Sequence, residues 1–396
     1  MVEPLRLVAP SGDAVDVDPP VVLAPMAGIT NAAYRQLCRE QGAGLYVAEM
    51  ITSRGIVERI PKTFDMLRFG PDETVRSVQL YGVEADVIAR ATTILCAEFG
   101  VRHVDLNFGC PVPKVTRRGG GGALPWKRDR LGAILRATVR AAEPYGVPVT
   151  MKTRIGIDDE HETFLDAGRI AQDAGCAAIG LHARTVKQAY GGQADWSRIA
   201  ELVDAVDIPV LGNGDIWEAG DALAMMAATG CAGVVVGRGC LGRPWLFRDL
   251  ADAFAGRDRR TLPTLGEVAT MVRRHGELLA ELSGERHGLT DLRKHMAWYF
   301  KGFPVGGDLR RSLATISSFA DLDAALASST RPSRSPRASW ALRAAARGRR
   351  GRRSCCPTGG STRPNSATRT SAPPSRTPRA DSGSSVRAGR EQADES

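Results

Sequence analysis

The chain lacks the features that mark three large classes of protein. It has no run of about 18 consecutive apolar residues, which a membrane-spanning helix requires. Its first residues, MVEPLRLVAPSGDAVDV, include acidic side chains where a secretory signal is apolar. The eight cysteines lack the spacing of zinc ligands or of a disulfide framework, and the one close pair, Cys355 and Cys356, is adjacent. The sequence predicts a cytoplasmic protein without membrane contact, metal or an obligatory protein partner.

Lysine is missing from the C-terminal part of a chain whose net charge is +9. From Arg331 onward there are 15 arginines and 4 acidic residues, whereas the first 330 residues hold 38 basic and 40 acidic ones. The segment 328–396 is rich in Arg, Ser and Pro and poor in large aliphatic residues, so we expect it to be disordered. Its abrupt start after Ala327 favours a non-native reading frame over an RNA-binding tail.

Short apolar runs alternate with helical patterns through the first 250 residues. The runs cover residues 21–28, 45–50, 75–82, 103–110, 148–156, 177–184, 208–215 and 233–239. Eight strand–helix units predict an α/β fold, a (β/α)8 TIM barrel, with a doubly wound open sheet as the alternative. Helical patterns alone follow Phe254. We therefore expect an N-terminal extension over residues 1–17, a barrel over 18–258, a small helical domain over 259–327 and then the tail.

Polar side chains collect at the C-terminal ends of these predicted strands. They are Glu49, Gln79, Asn107, Cys110, Lys152, Arg154, His182, Arg184, Asn213, Asp215 and Arg238. Catalytic groups of (β/α)8 barrels come from this end of the strands. An inward-facing lysine also needs an anion or an electron-rich partner to offset its desolvation. The pattern predicts one polar site at the mouth of the barrel.

Two glycine clusters indicate what this site binds. NGD at 213–215 and GRG at 237–239 follow the seventh and eighth strands, where such barrels hold phosphate. Neither cluster has the spacing of a Rossmann or P-loop motif, which disfavours a dinucleotide fold or a nucleoside triphosphatase. Together with Lys152 and Gln79, which can touch a conjugated ring, the clusters indicate flavin mononucleotide (FMN).

Seven motifs, in unbroken order, resemble those of the bacterial tRNA-dihydrouridine synthases. They are APMAGITNAAYR (24–35), VQLYG (78–82), NFGCPVPKVTRRGGGGAL (107–124), MKTRIG (151–156), HARTVKQAYGG (182–192), GNGDI (212–216) and GRGCLGRPW (237–245). The likeness covers roughly residues 18–326. It implies an FMN-binding barrel, a helical domain that helps to hold tRNA, and NADPH or NADH as the reductant.

The resemblance also implies individual roles. The implied FMN contacts are Pro25, Met26, Ala27, Gln79, Lys152, His182, Asn213, Gly214, Asp215, Gly237 and Arg238. Cys110 falls on the family's proton donor, which would protonate C5 of a uracil ring while hydride reaches C6. Asn107, Arg154 and Arg184 are candidates for gripping the base, which must leave its stack to enter the barrel mouth.

Two other functions stay open at this point. One is a flavin-dependent oxidoreductase of free pyrimidines, such as a dihydroorotate or dihydropyrimidine dehydrogenase. The other is a tRNA-binding factor without catalysis. In the helical domain we expect His275, His287 and His295 at surface or RNA-facing positions, and we expect Arg117 and Arg118 in the cysteine loop to meet the RNA backbone.

Overall fold

The computed structural model describes residues 2–42 and 44–327 of the chain. The predicted tail over residues 328–396 lies outside the described residues. No helix in the described part is both long and apolar enough to cross a lipid bilayer. The same part holds no group of three or more His, Cys, Asp or Glu side chains arranged to bind a metal ion.

Eleven strands are described, two in a hairpin and nine in a parallel sheet. They are β1 (Leu5–Val8), β2 (Ala14–Val17), β3 (Val21–Leu23), β4 (Leu45–Tyr46), β5 (Ile51–Thr52), β6 (Ser77–Tyr81), β7 (His103–Phe108), β8 (Val149–Arg154), β9 (Ala178–His182), β10 (Val210–Asn213) and β11 (Gly233–Val236). The order in the parallel sheet is β4-β3-β11-β10-β9-β8-β7-β6-β5. Each strand from β6 to β11 therefore pairs with its neighbour in sequence.

The sheet closes into a barrel because β4 and β5 occupy one position in it. β4 pairs with β3, with Leu45 opposite Val22. Val47 then bridges to Ser77, and β5 pairs with β6. The nine strands thus make eight barrel positions, and each contains one of the eight predicted apolar runs. The predicted TIM barrel is confirmed.

Fourteen α-helices are described, most of them on the outside of the barrel or after it. They are α1 (Ala32–Arg39), α2 (Ser53–Val57), α3 (Pro61–Asp65), α4 (Ala85–Phe99), α5 (Pro113–Thr116), α6 (Arg128–Ala142), α7 (Phe164–Asp173), α8 (Ser197–Ala205), α9 (Ala219–Thr229), α10 (Leu246–Phe254), α11 (Leu265–Ser283), α12 (Glu285–Tyr299), α13 (Gly307–Thr315) and α14 (Phe319–Ala327).

Local sequence explains where several of these helices begin and end. Thr264 and Glu267 form a reciprocal capping box at the start of α11. Glu218 and Asp221 form another at the start of α9. Gly100 ends α4 in the left-handed conformation, at φ 58°, which glycine adopts without the steric cost of a Cβ atom.

The N-terminal extension forms the β1–β2 hairpin, which covers one end of the barrel. Leu5, Leu7, Val15 and Val17 are buried in a cluster with residues of the barrel strands. The hairpin's turn lies near the amino ends of the strands, because Pro10 and Asp13 lie next to glycines that precede β8 and β9. The opposite end of the barrel, where the strands have their carboxyl ends, stays free for the site.

The helical segment packs its two longest helices against each other and against α1. Its histidines differ from the prediction: His287 is exposed, but His275 and His295 are fully buried. Both rings lie near Tyr34, with centroid distances of 5.5 and 5.7 Å. The surface prediction for His275 and His295 is therefore wrong, because both histidines lie on the face of α11 or α12 that packs inward.

Candidate active site

A cavity of about 480 Å³ opens at the carboxyl ends of the barrel strands. Every predicted site residue except Glu49 and Arg184 lines it, from Pro25, Met26 and Ala27 through Gln79, Asn107, Cys110, Lys152, Arg154 and His182 to Asn213, Gly214, Asp215, Gly237 and Arg238. The parallel barrel brings these residues together because it places all strand ends at the same rim.

Cys110 lies in the loop after β7, where Asn107 holds its backbone. The Asn107 side-chain oxygen accepts the N–H groups of Gly109 and Cys110, at 3.2 and 2.9 Å. The Cys110 carbonyl in turn accepts the N–H of Gly122 at 3.1 Å. A Cβ atom at Gly121, whose φ is 54°, would lie 2.7 Å from that carbonyl oxygen. Glycine in GGGG is thus required where the loop folds back on the cysteine.

Cys110 is also the one partly exposed thiol among the described cysteines. Cys38, Cys96, Cys176, Cys231 and Cys240 are all buried. Burial raises the pKa of the Cys96, Cys176 and Cys240 thiols to about 12. These buried thiols agree with the interpretation of free cysteine as a small core residue.

A chain of hydrogen bonds runs from Asn107 into the barrel interior. Asn107 Nδ2 donates to Gln79 Oε1 at 2.8 Å, and Gln79 Nε2 donates to Asp105 Oδ2 at 2.6 Å. The Thr150 hydroxyl donates to the other Asp105 oxygen at 2.7 Å. Beyond it, His103 Nε2 lies 3.0 Å from Thr150 Oγ1, and His103 Nδ1 lies 2.7 Å from the Ser77 hydroxyl.

Lys152, in β8, lines the cavity beside this chain and has no hydrogen-bond partner among the described residues. Burial, with a further contribution from Arg154, lowers the pKa of Lys152 to about 7, and Asp105 opposes the shift. A desolvated amino group without a hydrogen-bond partner is able to bind an anion or an electron-rich atom.

Arg154 joins the cysteine loop to the loop after β9. Its Nε donates to the Gly109 carbonyl at 2.8 Å, and its Nη1 donates to the carbonyls of Thr185 and Ala189 at 3.0 and 2.8 Å. Burial lowers the pKa of Arg154 to about 10. Although it lines the cavity, most of its donor capacity is used in holding these two loops.

Arg184 does not line the cavity, and its role differs from the predicted one. Its side chain is 1% exposed and pairs with Asp215 at 2.7 Å. It also donates to the carbonyls of Gly191 and Gly192, at 3.0 and 2.9 Å. The guanidinium is therefore hydrogen-bonded within the protein and does not face the cavity. The prediction that Arg184 contacts the substrate is corrected: this arginine supports Asp215 and the 189–192 loop.

Asp215 and His182 lie next to this arginine. Asp215 has a positive φ of 58° and also accepts the N–H of Ala194 at 2.7 Å. Burial and the cations Lys152, Arg154, Arg184 and Arg238 lower the pKa of His182 well below its usual value. Its Nε2 accepts from Arg184 at 3.3 Å, which fits a neutral ring.

Arg238, in the loop after β11, contacts two aromatic rings. Its guanidinium carbon is 4.8 Å from the centre of Tyr190 and 5.6 Å from that of Trp217. Its side chain is 34% exposed and lies 3.8 Å from Asp215. Stacking of this kind orients a guanidinium while leaving donors for a bound phosphate.

Several lining residues lie outside the set predicted from the sequence. Tyr190 and Trp217 carry no clear signal, because an isolated aromatic in a loop has many explanations. Asp105 does not itself line the cavity but lies beneath Gln79, and in the sequence it is part of an apolar strand. Trp298 of α12 reaches the cavity, and its backbone packs so closely on Gly242 that a Cβ atom there would lie 2.3 Å from the Trp298 carbonyl carbon. Only the tertiary fold brings this helix to the barrel mouth.

The Pro25–Ala27 segment is shaped by a tight turn after β3. Thr30 accepts the Met26 N–H at 3.0 Å, and Gly28, with φ 70°, donates to the Glu49 carboxylate at 2.6 Å. Glu49, which the strand pattern placed at the rim, thus supports the turn.

Comparison with known proteins places the chain in a family. The family model described as "Dihydrouridine synthase (Dus)" matches residues 22–331. The chain is 58% identical over 320 residues to a "Probable tRNA-dihydrouridine synthase" of Mycobacterium tuberculosis, covering 79% of this chain and 82% of that protein. A "Probable tRNA-dihydrouridine synthase" of Mycobacterium leprae is 54% identical over 332 residues, covering 77% and 86%.

A more distant relative carries a closely related name. The "tRNA-dihydrouridine synthase B" of Xanthomonas campestris is 37% identical over 294 residues, which cover 74% of this chain and 87% of that protein. These matches extend over both the barrel and the helical segment. The chain therefore belongs to the dihydrouridine synthase family, whose members are flavin-dependent oxidoreductases that act on tRNA.

Proposed function

We propose that this protein reduces the C5–C6 double bond of specific uridines in tRNA, with FMN as the flavin and NADPH or NADH as the reductant, in the cytoplasm. The observation that carries the proposal is that Cys110 and a cluster of cations line the same cavity. A reducing flavin needs an anion site for its phosphate, and a reduced uracil needs a proton donor.

The cationic half of the cavity fits a phosphorylated planar cofactor. Lys152 lacks a hydrogen-bonding partner among the described residues, and Arg238 is stacked yet partly exposed. The surrounding cations lower the pKa of His182 together with burial, so an added negative charge would be stabilised there. Arg238 and Gly237 would hold the phosphate, while Lys152, Gln79 and His182 would border the ring.

When bound, the reduced flavin supplies hydride to C6 of the uracil. The chain's own residues have to deliver a proton to C5. Cys110 is partly exposed and lines the cavity, so its side chain would donate that proton. Asn107, which lines the cavity beside Cys110, holds the loop and faces the same space. The base would enter between the cysteine loop and the Lys152 side.

A macromolecular substrate is favoured over a free pyrimidine by the composition of the cavity wall. Trp298 comes from the helical segment that follows the barrel, so the wall is built from both parts of the chain. The exposed cations Arg117 and Arg118 follow Cys110 in the same loop, a few residues after the lining residue Val112. Both features would extend contacts beyond one base, toward the RNA backbone.

The decisive experiment is to purify the protein, record its flavin spectrum and measure dihydrouridine formed in unmodified tRNA with NADPH and with NADH. We expect a yellow protein that reduces tRNA but not free uracil or dihydroorotate. Removing a general acid costs about 100-fold or more, so Cys110→Ala should lose that much activity while it keeps its flavin. A matched control is Cys96→Ala, at a buried thiol away from the cavity.

Three results would count against the proposal. A protein without flavin would exclude both enzymatic functions and leave the tRNA-binding factor. Turnover of free pyrimidine without tRNA reduction would favour the dehydrogenase alternative. Full tRNA reduction by the Cys110→Ala variant would remove the proton-donor role.

A further inference from the structure

The hydrogen bonds beneath Cys110 form two arms that meet at the Asp105 carboxylate. One arm runs from the backbone N–H groups of Gly109 and Cys110 through Asn107 and Gln79 to Asp105. The other runs from Ser77 through His103 and Thr150 to the second carboxylate oxygen. Asp105 itself is buried. Every bond of the first arm is donated in the direction of Asp105, and so is the Thr150 bond of the second arm.

The arm to Cys110 can run in only one direction. Backbone N–H groups are donors, so the Asn107 oxygen must face them and its amide nitrogen must face Gln79. Gln79 then presents its oxygen to Asn107 and its nitrogen to the barrel interior. That nitrogen needs an acceptor, and the Asp105 carboxylate, which has no proton to donate when ionised, supplies it at 2.6 Å.

The arm to Ser77 can be reversed. The Thr150 and Ser77 hydroxyls both donate and accept, and a neutral imidazole can carry its proton on either nitrogen. In the present arrangement Thr150 donates to Asp105, so His103 donates from Nε2 and accepts from Ser77 at Nδ1. Burial lowers the pKa of His103 to about 4, so the ring is neutral and able to switch tautomer.

We propose that Asp105 is a positioning residue for Cys110, because its carboxylate fixes the orientation of the Gln79 and Asn107 amides that hold the cysteine loop. This inference deepens the proposed function and takes from it the role of Cys110 as proton donor. If the Gln79 amide rotated by half a turn, its nitrogen would face the Asn107 nitrogen, and the Asn107 amide would have to rotate as well. The Asn107 nitrogen would then face the backbone N–H groups of the loop, which need an acceptor. The cysteine would then lose its fixed place above the base.

The rival role for Asp105 is charge. It lies close enough to Lys152 to oppose the lowering of that residue's pKa. Two substitutions separate charge from hydrogen-bond direction. Asp105→Asn removes the charge but can keep an oxygen toward Gln79. Its amide nitrogen then faces Thr150 and donates to the hydroxyl. The donors and acceptors along the arm from Thr150 through His103 to Ser77 exchange roles to allow this. Asp105→Leu removes the charge and the acceptor together.

The test measures tRNA reduction, flavin affinity and the rate at which iodoacetamide alkylates Cys110, followed by peptide mass spectrometry. We expect Asp105→Leu to slow tRNA reduction roughly tenfold or more and to speed alkylation several-fold, because a buried donor loses its acceptor and the loop is released. Asp105→Asn should slow tRNA reduction by less than about threefold and speed alkylation by less than about threefold, since its hydrogen bonds are rearranged and not lost. Asp249→Asn, at another buried aspartate that accepts from Thr261, is the matched control and should change neither.

Coupling to Cys110 is tested directly by a double-mutant cycle. In a Cys110→Ala background, Asp105→Leu should cost little further activity, because the residue that it positions is already absent. Equal losses for the Asn and Leu variants would assign the effect to charge and overturn the proposal. Fully additive losses in the cycle would also overturn it.

A second set of variants tests the proposal if the Asp105→Leu protein fails to fold. Thr150→Val alone leaves the arm to Cys110 intact, but combined with Asp105→Asn it removes the acceptor for the new amide nitrogen. The double variant should lose more than the product of the two single losses, whereas simple additivity would contradict the proposal. The alkylation rates need no tRNA, so they test the position of Cys110 even if the proposed activity is absent from the wild-type protein.

Discussion

The two halves of the cavity wall hold their functional groups by different forces. On the β6–β7 side, neutral amides and backbone groups are joined by short hydrogen bonds that lead to one buried carboxylate. On the β8–β11 side, cations lie close to one another, and burial with mutual repulsion lowers the pKa of Arg154 and Arg238.

The difference teaches which kind of substitution each half should tolerate. Hydrogen bonds place one atom accurately and fail when a donor and an acceptor are exchanged. Clustered charges attract an anion over several ångströms and respond to charge and salt more than to shape. We therefore expect the first half to be sensitive to isosteric changes and the second half to be sensitive to changes of charge.

The largest effect is expected from reversing charge on the cationic side. Arg238→Glu should lower flavin affinity by about 100-fold or more, because a charge-assisted contact to phosphate becomes a repulsion. Arg238→Lys keeps the charge and should lose roughly tenfold, since the planar fork and its stacking are lost. Titration of the flavin-free protein, followed by flavin fluorescence at two salt concentrations, measures both variants. An unchanged affinity in Arg238→Glu would contradict the assignment of this side to phosphate.

A smaller effect is expected from an isosteric change on the hydrogen-bonded side. Asn107→Asp keeps the shape but turns the donor toward Gln79 into an acceptor, which should slow tRNA reduction about 30-fold, or roughly 2 kcal/mol. Flavin affinity should fall much less. The two quantities are measured by steady-state kinetics and by flavin titration of the same preparation. If flavin affinity fell as far as activity, the separation of the two halves would be wrong.

The pH dependence of stability should report on Lys152 in the flavin-free protein. Its pKa in the fold, about 7, lies below its ordinary value, so the unfolded chain binds more protons between these two values. The free energy of unfolding should therefore rise with pH across that window, by roughly 1 kcal/mol or more. Lys152→Met should remove this rise in urea titrations at about pH 7 and pH 9.5, whereas Lys187→Met, at an exposed lysine, should retain it.

The smallest effect on activity is expected at His295, which belongs to neither half. Burial lowers its pKa to about 3, and neither ring nitrogen has a hydrogen-bond partner among the described residues. Because the unfolded chain takes up a proton that the folded chain excludes, this histidine lowers stability as pH falls below about 6.5 toward 3. His295→Leu should reduce the loss of stability between about pH 7 and pH 5 by roughly 1 kcal/mol, measured by thermal melts, with little change in tRNA reduction.

The barrel could be predicted from the sequence because the pattern of strands and helices is a local signal. The break between β4 and β5 was not visible, since residues 45–50 were interpreted as a single strand and that run stops before β5. The β1–β2 hairpin was predicted only as an extension, because its two strands of four residues are too short to stand out. His275 and His295 were misplaced since an imidazole on an amphipathic helix fits either face.

Some residues of the site could likewise be predicted from the sequence, and others could not. Cys110, Lys152 and Arg238 could be predicted as site residues from the sequence. A cysteine, a lysine or an arginine at the end of a barrel strand has few structural roles there. Arg184 could not be distinguished from Arg154, which ends the neighbouring strand, because its distance to Asp215 depends on the curvature of the barrel.

By itself, the sequence determined the eight strands, the rim at which functional groups gather and the family to which the chain belongs. The tertiary structure alone decided that Asp105 lies beneath Gln79, that Arg184 pairs with Asp215 and that Trp298 reaches the cavity. The physical reason is that strand and helix patterns follow from backbone periodicity along the chain. The direction of a hydrogen bond or the partner of a charge depends on which strands become neighbours.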